Sequence, residues 1–176
     1  MGVVDPVVPL THLVRLIQPE HWDPIAEGVD REPKFEVFTK DLKTSHGLSF
    51  WQCDGSEQDV FKVSAAAIAM RDRVSNYILA VRLDKTLLEQ AQFTWSDIPA
   101  PSPIVNLNTR HVELQTVSAP QACSLVNIIR RSIVQGQTTM FTADEIIRGI
   151  ATHCRGNKYA NHLKGEIRAQ VEALLR

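Results

Sequence analysis

The feature that most limits what this chain can fold into is a change in the spacing of its apolar residues. Tyr77-Ile78-Leu79-Ala80-Val81 is rich in β-favouring residues between polar flanks, and from Arg110 to Val117 the apolar Val112 and Leu114 alternate with His111, Glu113 and Gln115. A period of two sends alternate side chains to opposite faces of a strand. After Pro120 the period lengthens. Leu125, Ile128, Ile129 and Ile133 recur every three or four residues, then Ile146, Ile147, Ile150, Ala151 and Cys154, then Leu163, Ile167, Val171 and Leu174. Each set is one apolar stripe along a helix. Strands first and helices last describe an α+β protein. The expected form is a small mixed sheet of four or five strands with two or three helices over residues 1–119, followed by a C-terminal bundle of three helices over 120–176, the two packed as one unit or separate.

Local signals place the remaining elements. Thr11 to Ile17 reads as a strand ended by Gln18-Pro19, because the residue before a proline is pushed to extended geometry. A helical turn is expected from Glu20 to Asp23, closing at Gly28, and a loop from Val29 to Thr44 with Phe35, Val37 and Phe38 as its anchors. Gly47 to Trp51 is a second strand candidate before the turn Asp54-Gly55-Ser56, and a helix follows from Ser56 to Asp72. Asp84 suits the N-cap of a helix over Lys85–Ala91. Prolines 99, 101 and 103 predict an extended connector. In the last third, Pro120 suits the first turn of a helix that ends before Gly136, Thr142 and Glu145 form a capping box, and Gly156 and Asn157 mark a stop and a new start.

Composition excludes several classes. The richest apolar run, Val63 to Met70, is stopped by Arg71-Asp72-Arg73, well short of the ~20 residues of a membrane helix. The start of the chain lacks the basic-then-apolar order of a secretory signal. Cys53, Cys123 and Cys154 are odd in number and contain no C-x-x-C, which speaks for reduced thiols and a cytoplasmic address. The net charge of −1 conceals an asymmetry: residues 1–119 hold 11 Lys and Arg against 16 Asp and Glu, whereas 120–176 hold 8 against 4. A basic last third can attract phosphates.

Within that third, Phe141-Thr142-Ala143-Asp144-Glu145-Ile146 and the run Asn161 to Arg176 resemble the helical part of a winged-helix, helix-turn-helix DNA-binding domain. The resemblance covers the helices and not the family's β-hairpin wing, for which no residues stand before Arg176. It implies a recognition helix with one docking face and one donor-bearing face. Lys158, Asn161, Lys164 and Arg168, spaced by three and four, are the nucleic-acid-binding candidates.

In the first two thirds, Arg15 inside an apolar strand, Ser49 in Gly47-Leu48-Ser49-Phe50-Trp51 and Glu113 on a polar strand face resemble, in that order, the arginine, serine and glutamate elements of ADP-ribosyltransferases. That likeness implies Arg15 and Ser49 positioning NAD and Glu113 steadying an oxocarbenium-like transition state. His111 stands where that family usually has a second acidic residue or Gln. His111 and Glu113, with His46 or His12, do not complete a metal site, and neither G-x-x-x-x-G-K-[ST] nor G-x-G-x-x-G occurs. No metal and no cofactor is therefore expected. The leading expectation is a bacterial-type accessory or regulatory protein that binds DNA or a protein partner through its C-terminal helices. The alternative is an NAD-dependent ADP-ribosyltransferase-like enzyme acting through Arg15, Ser49, His111 and Glu113.

Overall fold

The computed structural model describes residues 8–18, 21, 22, 37, 42, 48–115, 118–155 and 162–176. Six strands form one sheet in the spatial order β4-β5-β2-β1-β3-β6: β1 His12–Ile17, β2 Leu48–Cys53, β3 Tyr77–Asp84, β4 Trp95–Asp97, β5 His111–Leu114 and β6 Thr138–Thr142. Every neighbouring pair is antiparallel. The α+β class holds. The sheet, however, is antiparallel throughout and larger than the mixed one expected, because two short strands add its edges.

Alternation divides the core between two faces. Leu13, Ile17, Leu48, Phe50, Val81, Leu83, Val112 and Leu114 point to one face, where they meet Leu125, Val126 and Ile129 of helix α3 (Ala119–Val134). Trp22, Val37 and Leu42 are buried in the same cluster. Val14, Trp51, Cys53, Ile78, Ala80 and Phe141 point to the other face, covered by α1 (Glu57–Ile68), α4 (Ala143–Cys154) and α5 (Gly165–Leu175). Helix α2 (Lys85–Gln90) is a short connector that buries Leu88. Phe35 and Phe38, two of the three anchors expected in the 29–44 segment, lie outside the described residues, and so does Gly28.

Helices α1 to α4 each start at a side-chain cap. The Ser56 hydroxyl accepts from the Asp59 N–H, and the Asp84 carboxylate accepts from the Thr86 N–H. Ser118 with Gln121 and Thr142 with Glu145 form complete capping boxes. Helix α3 therefore begins at Ala119, with Pro120 just inside it. Helix α1 ends earlier than its apolar spacing suggests; the stop and new start expected at Gly156 and Asn157 lie outside the described residues, and α5 runs from Gly165.

The C-terminal helices do not make a bundle of three. After α3 the chain enters β6, which pairs with β3 at the sheet edge, and so α4 and α5 emerge on the face opposite α3. Residues beyond 119 thus complete a sheet begun by residues before it.

The connector after β4 is fastened to α1 by polar contacts. Ser102 Oγ donates to the Ala66 carbonyl over 2.8 Å, and Arg110 Nη1 lies 2.7 and 2.8 Å from the two Asp59 carboxylate oxygens. The Asp59 side chain is 8% exposed and also accepts the Asp54 N–H, so removing its charge weakens the hold on two half-buried donors. We expect Asp59→Asn to cost ~1–3 kcal/mol, read from the denaturant midpoint. Glu172→Gln, which breaks the exposed Arg168–Glu172 pair, should cost only ~0.3–0.5 kcal/mol. Equal losses for the two variants would show that the Asp59 anchor is not structural.

Candidate functional site

Strand alternation separates the four candidates of the first two thirds. Arg15 shares a face with Leu13 and Ile17; its guanidinium carbon lies 5.3 Å from the Phe50 ring centroid, and Nη1 donates to the Ser49 carbonyl oxygen over 2.7 Å. Ser49 and Glu113 are directly opposed across β2 and β5, so their side chains leave the other face, beside Ser96 of β4. The Arg15 contact is with the Ser49 backbone and not with its hydroxyl. His111 is opposite Trp51 and packs edge-on to it with ring centroids 5.3 Å apart, while its Nδ1 lies 2.6 Å from the Ile98 carbonyl oxygen. At 5% exposure His111 is part of the interior, not of a wet strand face. The structure therefore brings Ser49 and Glu113 together, sets His111 inside, and puts the Arg15 side chain across the sheet.

Of the C-terminal candidates, Lys158 and Asn161 lie outside the described residues. Lys164 is exposed at the N-cap of α5, and Arg168, within α5, donates from Nε to Glu172 Oε1 at 2.7 Å. The start of α5 is pressed against the turn that follows α1. Gly165 has φ +50°, a Cβ there would sit 2.5 Å from the Asp72 carbonyl oxygen, and the Glu166 N–H donates to that oxygen. A recognition helix uses its N-terminal residues to reach base edges, and here that end is docked on the protein itself.

A polar cluster gathers at the end of the sheet where β2 turns into α1. Asp54 Oδ1 accepts the Ser56 N–H, Arg82 Nη1 donates to the Gly55 carbonyl, and Gly55 at φ +91° lies so close to His12 that a Cβ would come within 2.8 Å of its ring. These bonds are internal to the turn and describe a fastening rather than a receptacle. Beside it, burial pushes the Cys53 thiol up to about 11, so this cysteine is no nucleophile at neutral pH.

An open concavity lies elsewhere, between α1 and α4. It encloses about 540 Å³. Phe61 and Phe141, packed edge-on with centroids 5.3 Å apart, form its floor, and Gly149 completes it. A Cβ at Gly149 would stand 2.6 Å from the tip of the Phe61 ring, so the glycine is what lets α4 approach α1 this closely. Glu57 and Gln58 line the α1 side, and Glu145, Arg148 and Thr152 the α4 side. Hydrogen bonds from the Thr142 N–H and hydroxyl hold the Glu145 carboxyl below its usual range, keeping it charged. Arg148 also borders a second, more polar groove of about 520 Å³ between α4 and α5, near Asn76, Glu166 and Leu174.

None of the sequence candidates among the described residues lines either groove. The available signal was Gly149, a glycine inside an otherwise strong helical stripe, which calls for a packing reason. Among the described residues, no three His, Cys, Asp or Glu side chains are gathered to hold a metal ion, and no helix is long and apolar enough to cross a membrane. No family model matches the chain, and no curated protein or solved structure is significantly similar to it.

The cysteines provide a direct check on this geometry. Cys123 is exposed, whereas Cys53 and Cys154 are buried with thiols raised by desolvation. Iodoacetamide at neutral pH is expected to modify Cys123 alone in the folded protein, with Cys53 and Cys154 reacting only after denaturation, as read by peptide mass spectrometry. A raised thiol favours the protonated form in the fold, so the Cys53 contribution to stability is complete below pH 9.0 and is lost as the pH climbs through about 11. Fast alkylation of Cys53 would contradict its burial.

Proposed function

We propose that the chain is a non-catalytic accessory or regulatory protein that binds a protein partner, holding an amphipathic helix of that partner in the groove between α1 and α4. The observation that carries this reading is the form of the groove. Glu145, Arg148 and Thr152 line one wall at helical spacings of three and four, Glu57 and Gln58 line the other, and the floor of Phe61, Phe141 and Gly149 lies between them. Two helical walls over an aromatic floor suit a third helix that inserts apolar anchors. The charged Glu57 and Glu145 favour basic residues flanking those anchors, since complementary charge guides and orients docking.

Nucleic acid is the less supported partner. Phosphate binding depends on accumulated positive charge, and of the two described donors at α5, Lys164 and Arg168, the second is already paired with Glu172. An NAD-dependent transferase would need one ligand to reach Arg15, Ser49 and Glu113. Their side chains leave the sheet on opposite faces.

Selection of a random peptide library on the purified chain tests the proposal. Enriched peptides should be helical in pattern, with apolar anchors and basic flanks. Gln58→Arg and Thr152→Arg, which obstruct the groove from exposed positions, should weaken their binding at least ~10-fold, about 1.4 kcal/mol. Peptides indifferent to both variants would sink the groove reading, and tight, salt-dependent duplex DNA binding would redirect it to nucleic acid.

A further inference from the structure

The two edges of the sheet are built differently. Strand β4 is only three residues long, ends on the exposed Asp97 and runs into Pro99, all of which discourage another strand from joining. Strand β6, Thr138-Thr139-Met140-Phe141-Thr142, has no charge, no proline and full pairing with β3 on its inner side. Its ladder phase is set by the Arg82 N–H donating to the Gln137 carbonyl and the Ala143 N–H donating to the Asn76 carbonyl. Antiparallel bonding alternates along a strand. Thr139 and Phe141 therefore direct their backbone groups to β3, and Thr138, Met140 and Thr142 direct theirs to the open edge. The Thr142 N–H is taken by Glu145, while among the described residues no strand pairs with the outer side of β6.

Exposed apolar side chains gather at this edge. Met140 is 60% and Tyr77 57% exposed. Met140 is opposite Leu79 and Tyr77 opposite Thr142, so all four side chains leave the face covered by α3. Val134, 70% exposed, ends α3 on that same side.

We propose that β6 is the self-association surface of this protein, pairing antiparallel with β6 of a second copy about a two-fold axis at Met140 to make one continuous sheet. An open ladder specifies a strand as its cover, and the phase of β6 specifies itself. With the axis at Met140, the two Met140 residues exchange N–H and C=O bonds with each other, and each Thr138 N–H meets the Thr142 carbonyl of the other copy. The Thr142 N–H is already held by Glu145, so the pairing rests on four bonds, two between the Met140 residues and two from the Thr138 N–H groups to the Thr142 carbonyls. The uncharged strand meets its own copy without repulsion, and the same axis draws Met140, Tyr77 and their counterparts together on one side. Such an interface is isologous, the usual form of a homodimer.

Sedimentation of the full chain over a range of concentrations should give a reversible monomer–dimer equilibrium. Met140→Lys, a change at a mostly exposed side chain, places like charges face to face and should weaken association at least ~100-fold with an unchanged circular dichroism spectrum. Gln58→Arg, in the α1–α4 groove, should leave it intact, which separates this interface from the peptide-binding proposal. Facing residues of a hydrogen-bonded antiparallel pair have Cα atoms ~5.5 Å apart, within disulfide range. In a Cys123→Ser background, Met140→Cys is therefore expected to form a disulfide-linked dimer on mild oxidation, and Val105→Cys, on the exposed 3-10 turn before β5, is not. A monomer at every concentration, a dimer indifferent to Met140→Lys, or a dimer in which Met140→Cys fails to cross-link each overturns the two-fold β6 pairing.

Discussion

The burial of both faces of a single antiparallel sheet is the constraint on which the rest of the molecule depends. Antiparallel sheets commonly leave one face to water, yet here β1, β2 and β3 carry apolar side chains on both sides, with Leu13 beside Val14, Phe50 beside Trp51 and Ala80 beside Val81. Each such pair forces a cover on each face. Helix α3 answers on one side and α1, α4 and α5 on the other. Because β1 sits between β2 and β3 and pairs with β3 over its whole length, a one-residue slip there would exchange the two cores.

Helix α1 is the piece that makes the second face work. Ala65, Ala66 and Ala67 let it lie close to the sheet and to the connector after β4, and Asp59 at its start receives Arg110 from the end of that connector. Its free side is where α4 approaches, at Gly149 against Phe61. The groove is a consequence of that crossing. Two helices meet at a glycine, and the aromatic rings beneath them are left partly uncovered, which is a surface a partner can use and a core cannot.

Much of the local structure was legible because it depends on neighbours in the chain. Asp84, Thr142 and Glu145 act where their spacing to the next helix says they must, and Val112 and Leu114 turn inward as their alternation requires. What escaped was set by distant residues. The Thr-rich β6 has only Phe141 buried, and it becomes a strand because β3 presents an unpaired edge to it. His111 looked like a polar strand residue, and it is interior because Trp51 and the Ile98 carbonyl enclose it. Arg15 and Ser49 looked like partners in chemistry, and the pairing of β1 with β2 brings them into contact only through a backbone carbonyl.

By itself the sequence determined the α+β class, the starts of the capped helices and the inward faces of most elements, since periodicity and capping are short-range consequences of backbone geometry. Only the tertiary structure decided which elements share a surface. It routed β6 to the sheet edge and thereby sent α3 and α4 to opposite faces, it opened the groove at Gly149, and it left the outer ladder of β6 unpaired among the described residues. Those outcomes depend on contacts between residues far apart in the chain, where burial of large apolar area outweighs any local preference.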